Sequence, residues 1–86
     1  MKKLHVRDKS KRFFIVCEGM EYDDYVNVKI YNISTNEEHI NLDIRFKNTI
    51  EESIFIFPGE KLKDIIGLGG EDLLKDVKEA ASCILF

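Results

Sequence analysis

The chain has 86 residues, 44% of them hydrophobic, with 13 basic and 16 acidic side chains and a formal charge of −3. That length supports one hydrophobic core and not two, and the acidic balance disfavours a general nucleic-acid coat, because non-specific phosphate binding grows with net basic contacts. The charge is unevenly placed: residues 1–12 hold six basic side chains against Asp8, a local +5, which leaves −8 on the remainder. Cys17 and Cys83 lie far apart without CxxC spacing, which points to a reducing, cytoplasmic setting rather than a disulfide framework. Near the N-terminus the apolar run Phe13–Cys17 is too short for a signal-peptide core or a membrane span.

Leu4 and Val6 alternate with Lys3, His5 and Arg7, predicting a strand over about 3–8. The polar group Asp8-Lys9-Ser10-Lys11 turns the chain onto a second strand over 12–18. Tight closure there sets Val6 opposite Phe13, Leu4 opposite Ile15, and Arg7 opposite Arg12 as a like-charged pair. Gly19–Asp24 is an acidic loop.

The clearest two-residue apolar period in the chain is Ile40, Leu42, Ile44 and Phe46, set between His39, Asn41, Asp43, Arg45 and Lys47. It predicts a strand over 39–47, paired through the polar stretch 34–38 with a strand over 25–33. The alignment favoured by both apolar and charge matching places Val26 opposite Phe46, Val28 opposite Ile44 and Ile30 opposite Leu42. On the other face it pairs Lys29 with Asp43, Asn27 with Arg45 and Tyr31 with Asn41.

The run 53–57 is apolar on both sides, as in a strand covered on both faces or bent into a barrel wall, and Pro58-Gly59 ends it. A short helix is predicted over 60–66, closed by Gly67. Gly69-Gly70 separates it from a longer helix over 71–85, with Glu71 and Asp72 at the positive end of its dipole. In that helix Leu73, Leu74, Val77, Ala80, Ala81, Ile84 and Leu85 form one stripe opposite Glu71, Lys75, Lys78 and Glu79. The expected fold is α+β and mostly β: one domain over 1–86, a five-stranded antiparallel meander or small curled half-barrel, then a short helix and a C-terminal amphipathic helix packed on one sheet face.

One helix covers one sheet face, which leaves an opposite face mixing aromatic and basic residues. The candidate partner-binding residues there are Phe14, Tyr25 and Tyr31, offering rigid contact area, and Arg12, Lys29 and Arg45, offering orientation. In a meander the second and fourth loops share an end, gathering Glu18, Glu21, Asp23, Asp24, Glu51 and Glu52 as a candidate surface for a basic partner, against the plainer reading of solvated carboxylates. Glu21-Tyr22-Asp23-Asp24 lacks the ligand spacing and turn glycine of a calcium loop.

His5 and His39, the two histidines, belong to no ligand or nucleophile pattern and read as surface imidazoles on the outer sheet. Gly67-Leu68-Gly69-Gly70 lacks a Walker lysine and GxGxxG spacing, so it reads as a helix junction. No metal set, cofactor motif or catalytic dyad can be assembled. The terminal Cys83-Ile84-Leu85-Phe86 has the form of a prenylation box, but Ile84 and Leu85 belong to the helix stripe and no basic cluster precedes them, so lipidation at Cys83 is disfavoured.

The resulting expectation is a small cytoplasmic, non-enzymatic protein-binding module that regulates or inhibits another macromolecule, of a size common among phage and mobile-element products. A homodimer through the open face is one form of this reading. The alternative is a single-stranded nucleic-acid binder in which bases stack on the aromatics.

Overall fold

The computed structural model describes residues 3–19, 24–48, 50–51 and 53–85. Five strands run β1 (Lys3–Arg7), β2 (Phe13–Gly19), β3 (Tyr25–Asn32), β4 (Glu38–Asn48) and β5 (Ser53–Ile56), followed by one helix, α1 (Lys61–Leu85). The sheet order is β1-β2-β3-β4-β5 with every neighbouring pair antiparallel, a meander with β1 and β5 as its edges. α1 lies mainly over β1 and β2, with less contact to β3 and β4.

The alternation along each strand sets the faces. Phe13, Ile15 and Cys17 of β2, Val26, Val28 and Ile30 of β3, and Ile40, Leu42 and Ile44 of β4 are all buried under the helix. Leu73, Val77, Ala80, Ala81 and Ile84 of α1 meet them, as the stripe predicts, and Ile65 extends that contact into the first part of the helix. Each large apolar side chain so buried contributes roughly 1.5–3 kcal/mol. At the crossing with β2, Gly19 lets the helix come close: a Cβ there would stand 2.8 Å from Cγ2 of Ile84.

Both hairpin registers differ from expectation by two residues. In the first, Arg7 lies opposite Phe14, Val6 opposite Ile15 and Leu4 opposite Cys17. The cause is the turn. Asp8 is buried, and its carboxylate accepts the backbone N–H groups of Arg12 at 2.8 Å and Phe13 at 3.3 Å together with the Ser10 hydroxyl. Lys11 takes a positive φ of 61°, so residues 9–12 make the reversal and the Arg7–Arg12 opposition does not arise.

In the second hairpin Val26 faces Ile44, Val28 faces Leu42 and Ile30 faces Ile40, while Asn27 faces Asp43, Lys29 faces Asn41 and Tyr25 faces Arg45. Asn32 organises that turn, its Oδ1 accepting the N–H groups of Ser34 at 2.9 Å and Thr35 at 3.0 Å, with Asn36 at φ 61°. The pairing then shifts between Ile30 and Tyr31, so Tyr31 meets Glu38 and His39 is the extra residue of a bulge. His39 consequently leaves the outer face: its ring packs edge-on against the buried Phe13, with centroids 6.0 Å apart.

The two expected helices form one helical element that bends at Gly70, where φ is 72° and ψ is −166°. Only glycine adopts that conformation cheaply, and an ordinary residue there costs roughly 1–3 kcal/mol. β5 also departs from expectation. It is an edge strand with Phe55 half-buried, as is Phe57 just beyond it, and with Ile54 and Ile56 exposed, not a strand covered on both faces. Replacing Gly70 with alanine is expected to lower unfolding stability by about 1–3 kcal/mol in urea denaturation, whereas Gly67→Ala, with a negative φ and open space around its Cβ position, leaves stability equal or slightly raised.

Candidate functional site

The sheet face turned away from α1 is built as cross-strand rows. Arg7, Phe14, Tyr31 and Glu38 form one row, and His5, Val16, Lys29 and Asn41 the next. Lys3, Glu18, Asn27 and Asp43 follow, then Tyr25, Arg45 and Ile56, then Lys47 and Ile54. Phe14 and Tyr31 are half-buried by their neighbours, and the His5 ring stands edge-on to Phe14 with centroids 5.1 Å apart. A shallow depression of about 260 Å³ lies among Phe14, Val16, Tyr31 and Asn36. Tyr25, at the far corner, is 39% exposed.

Five of the six residues expected on this face are therefore on it: Phe14, Tyr25, Lys29, Tyr31 and Arg45. They are not one cluster, since Tyr25 and Arg45 share a row two rows removed from Lys29 and three from Phe14 and Tyr31. Arg12 is elsewhere. It precedes β2, its guanidinium lies 5.0 Å from the centroid of Phe13, and its Nε donates to Ser10 Oγ at 2.8 Å, which commits it to the β1–β2 turn.

Polar groups between the aromatics are partly spent on each other. Lys3 Nζ lies 3.5 Å from Glu18 Oε2, and Asn27 Nδ2 donates to Asn41 Oδ1 and Asp43 Oδ1, both at 2.9 Å. Lys29 and Asp43, expected to face each other, are separated by the register change. Lys47, Ile54 and Ile56 belong to the face but were not expected as site residues. An apolar run carries no mark distinguishing an edge strand from a central one, so the exposure of Ile54 and Ile56 was not legible.

Of the acidic loop set, Glu18 lies on the open face in its pair with Lys3, and Asp24 and Glu51 are exposed near the end of the sheet where the Asp24 carbonyl accepts the Phe46 N–H at 2.7 Å. Glu21, Asp23 and Glu52 lie outside the described residues, as does Phe86 of the prenylation pattern. Cys17 and Cys83 are free thiols, Cys83 exposed and Cys17 buried. Burial, with a smaller contribution from Cys83, pushes the Cys17 thiol up to about 12, so it is an apolar filler and not a nucleophile. Among the described residues no group of three or more His, Cys, Asp or Glu side chains is placed to hold a metal ion, and no helix is long and apolar enough to cross a membrane.

Two buried carboxylates sit at the junction of α1 with the β1–β2 turn. Asp76, in the helix, accepts the backbone N–H of Lys9, while its Oδ2 is buried without a hydrogen-bond partner. Burial and the charges of Glu79 and Asp8 raise its carboxyl above the ordinary aspartate value of 3.8, against the lowering effect of the Lys9 N–H and ammonium. Burial also acts to raise Asp8. There the hydrogen bonds from Ser10, Phe13 and Arg12, with the Arg12 charge, prevail and hold it below 3.8.

The two groups act on stability with opposite sign. A raised folded-state value means that the Asp76 contribution is fully present below 3.8 and is lost as pH rises through the folded-state value. The lowered value of Asp8 makes its contribution present above 3.8 and lost as pH falls through the folded-state value. In chemical denaturation at a series of pH values, Asp76→Asn is expected to flatten the decline on the side above 3.8, and Asp8→Asn to flatten the acid limb. An unchanged slope above 3.8 in Asp76→Asn would show that the Asp76 carboxyl titrates at its ordinary value.

Compared with known proteins, the chain matches no family model, no curated protein and no solved structure.

Proposed function

We propose that the protein is a small non-enzymatic binding module whose uncovered sheet face docks another protein and so regulates or inhibits it. One observation carries this reading: a single helix packs on one face of a five-stranded sheet, and among the described residues no layer covers Phe14, Tyr31 and Tyr25 on the other face. Aromatic side chains combine large contact area with low conformational entropy, and they recur at the energetic centres of protein interfaces. Lys29 and Arg45 supply charge for orientation. Glu18, Glu38 and Asp43 interrupt the cations on the same face, which weakens it as a track for phosphates.

The test is affinity capture of the tagged protein from its host, with nuclease treatment in parallel. Phe14→Glu, Lys29→Glu and the double variant Tyr25→Ala/Arg45→Glu are compared with Lys75→Glu on the outer side of the helix. A partner that survives nuclease, binds at least tenfold more weakly to one or more face variants, and is held normally by Lys75→Glu is the expected result. Retention by every face variant overturns the proposal. Oligonucleotide binding that falls steeply with salt and disappears in Tyr31→Ala would instead assign the face to single-stranded nucleic acid, and a dimer in sedimentation dissociated by Phe14→Glu would assign it to a second copy.

A further inference from the structure

The two free edges of the sheet are built differently. β1 reads Lys-Leu-His-Val-Arg, and an antiparallel copy of it centred on His5 would bring Lys3 against a second Arg7, like charges that keep an edge from recruiting its own kind. β5 reads Ser-Ile-Phe-Ile with no charge, and among the described residues no strand pairs with it on the side away from β4. Its Ile54 and Ile56 are 37% and 43% exposed, and α1 packs mainly over β1 and β2 at the opposite side of the sheet.

The free edge of β5 also presents a defined set of backbone groups. The Phe46 N–H donates to the Asp24 carbonyl at 2.7 Å, on the β3 side of β4. Along an antiparallel strand both backbone groups of a residue point to the same side, and successive residues alternate. Phe46 and Phe55 therefore oppose each other without exchanging backbone hydrogen bonds, while Ile54 and Ile56 bond to β4 across from Lys47 and Arg45. The N–H and C=O of Phe55 point outward, away from the sheet.

We infer that β5 pairs with β5 of a second copy of this chain, antiparallel about a two-fold axis at Phe55, joining the two five-stranded sheets into one. Self-complementarity selects the occupant. On that axis the two Phe55 residues exchange their outward N–H and C=O groups, and Ile54 lies opposite the second copy's Ile56. Every cross-strand neighbour from 54 to 56 is then apolar, a match that a second copy supplies by symmetry and that β1 cannot make with itself. The axis stands normal to the sheet, so both helices lie on one side and both open faces on the other. The row of Tyr25, Arg45 and Ile56 runs on into the second copy's Ile54 and Lys47.

Charge neither selects nor opposes this contact. The two β4 strands are three strand spacings apart, roughly 15 Å, so Arg45 and Lys47 of the two copies are separated by more than the ~8 Å screening length of physiological salt. Each pair also has the exposed Asp24 and Glu51 at its own end of the sheet. Antiparallel pairing sets that end beside the second copy's passage from β5 into α1, where Glu60 and Asp64 are matched by Lys61 and Lys63. A paired edge this short buries far less than the roughly 1,600 Å² of a standard stable interface, so the dimer is reversible and forms as concentration rises.

The probe is the intact protein, sedimented over a concentration series reaching the high-micromolar range. A reversible monomer–dimer equilibrium is expected, with hydrogen exchange of the outward Phe55 N–H slowing as dimer accumulates. Ile54→Lys/Ile56→Lys and Ile54→Glu/Ile56→Glu should each weaken association at least tenfold, with circular dichroism confirming that they fold. An equimolar mixture of the two should associate at least tenfold more tightly than either alone, because residue 54 of one copy faces residue 56 of the other. Phe14→Glu, three rows from Ile56 on the open face, should leave the dimer intact. A monomer throughout the series, a dimer that survives both double variants, one dissociated by Phe14→Glu, or a mixture that associates no better than its components overturns the inference. Edge pairing and face docking fail separately: the double variants test the first with Phe14, Lys29 and Tyr31 unaltered, and capture from the host tests the second.

Discussion

Burial of the helix stripe against one side of the sheet is the contact on which the remaining architecture depends. Side chains alternate along each strand with a period of two, so committing Ile15, Val28 and Leu42 to the helix commits Phe14, Lys29 and Asn41 to the other side. The apolar stripe of α1 packs on one face, and among the described residues no second layer lies on the other. The half-buried aromatics of that other face are supported sideways by neighbouring strands, as Phe14 is by His5.

The helix is located along the sheet by polar contacts as well as apolar ones. Asp8 folds the β1–β2 turn around its carboxylate, and Asp76 ties α1 to the same turn through the Lys9 N–H. A buried carboxylate with one orphaned oxygen is costly, and a neighbouring carboxylate adds to that cost. The hydrogen bond from the Lys9 N–H is directional, as apolar packing is not, and it fixes where the helix sits against the turn. Gly19 and Gly70 complete the seating, one by allowing close approach of Ile84 and the other by redirecting the helix after its first turns.

The errors in the sequence reading have one form. Both hairpins were expected two residues out of their actual alignment, and apart from His39 at the bulge and Arg12 at the turn the faces were nevertheless assigned correctly, because a shift by an even number of residues keeps every side chain on its own side. What changed were the partners: Tyr25 with Arg45 in place of Asn27 with Arg45, and Asn27 with Asp43 in place of Lys29 with Asp43. Turn geometry made the difference. The carboxylate of Asp8 and the amide of Asn32 centre the reversals about one residue later in the first hairpin and one residue earlier in the second than the hydrophobic pattern alone suggests, and the bulge at His39 adds a residue that no periodicity announces. Arg12 was misplaced for a related reason, since at the mouth of a turn its long side chain is not bound to either face, and the ring of Phe13 and the Ser10 hydroxyl hold it at the β1–β2 turn.

By itself the sequence determined the number of strands and their extent to within a residue or so, the dry and wet sides of the first four, and the helix stripe that covers the dry side. These follow from local periodicity, which survives any even slip in pairing. Tertiary structure alone decided which residues stand side by side on the open face, that Ile54 and Ile56 are exposed there, and that the buried Asp8 and Asp76 are near enough for the charge of one to act on the other. Those outcomes depend on register, on strand order and on the seat of the helix, each set by contacts between residues distant in the chain and absent from any local pattern.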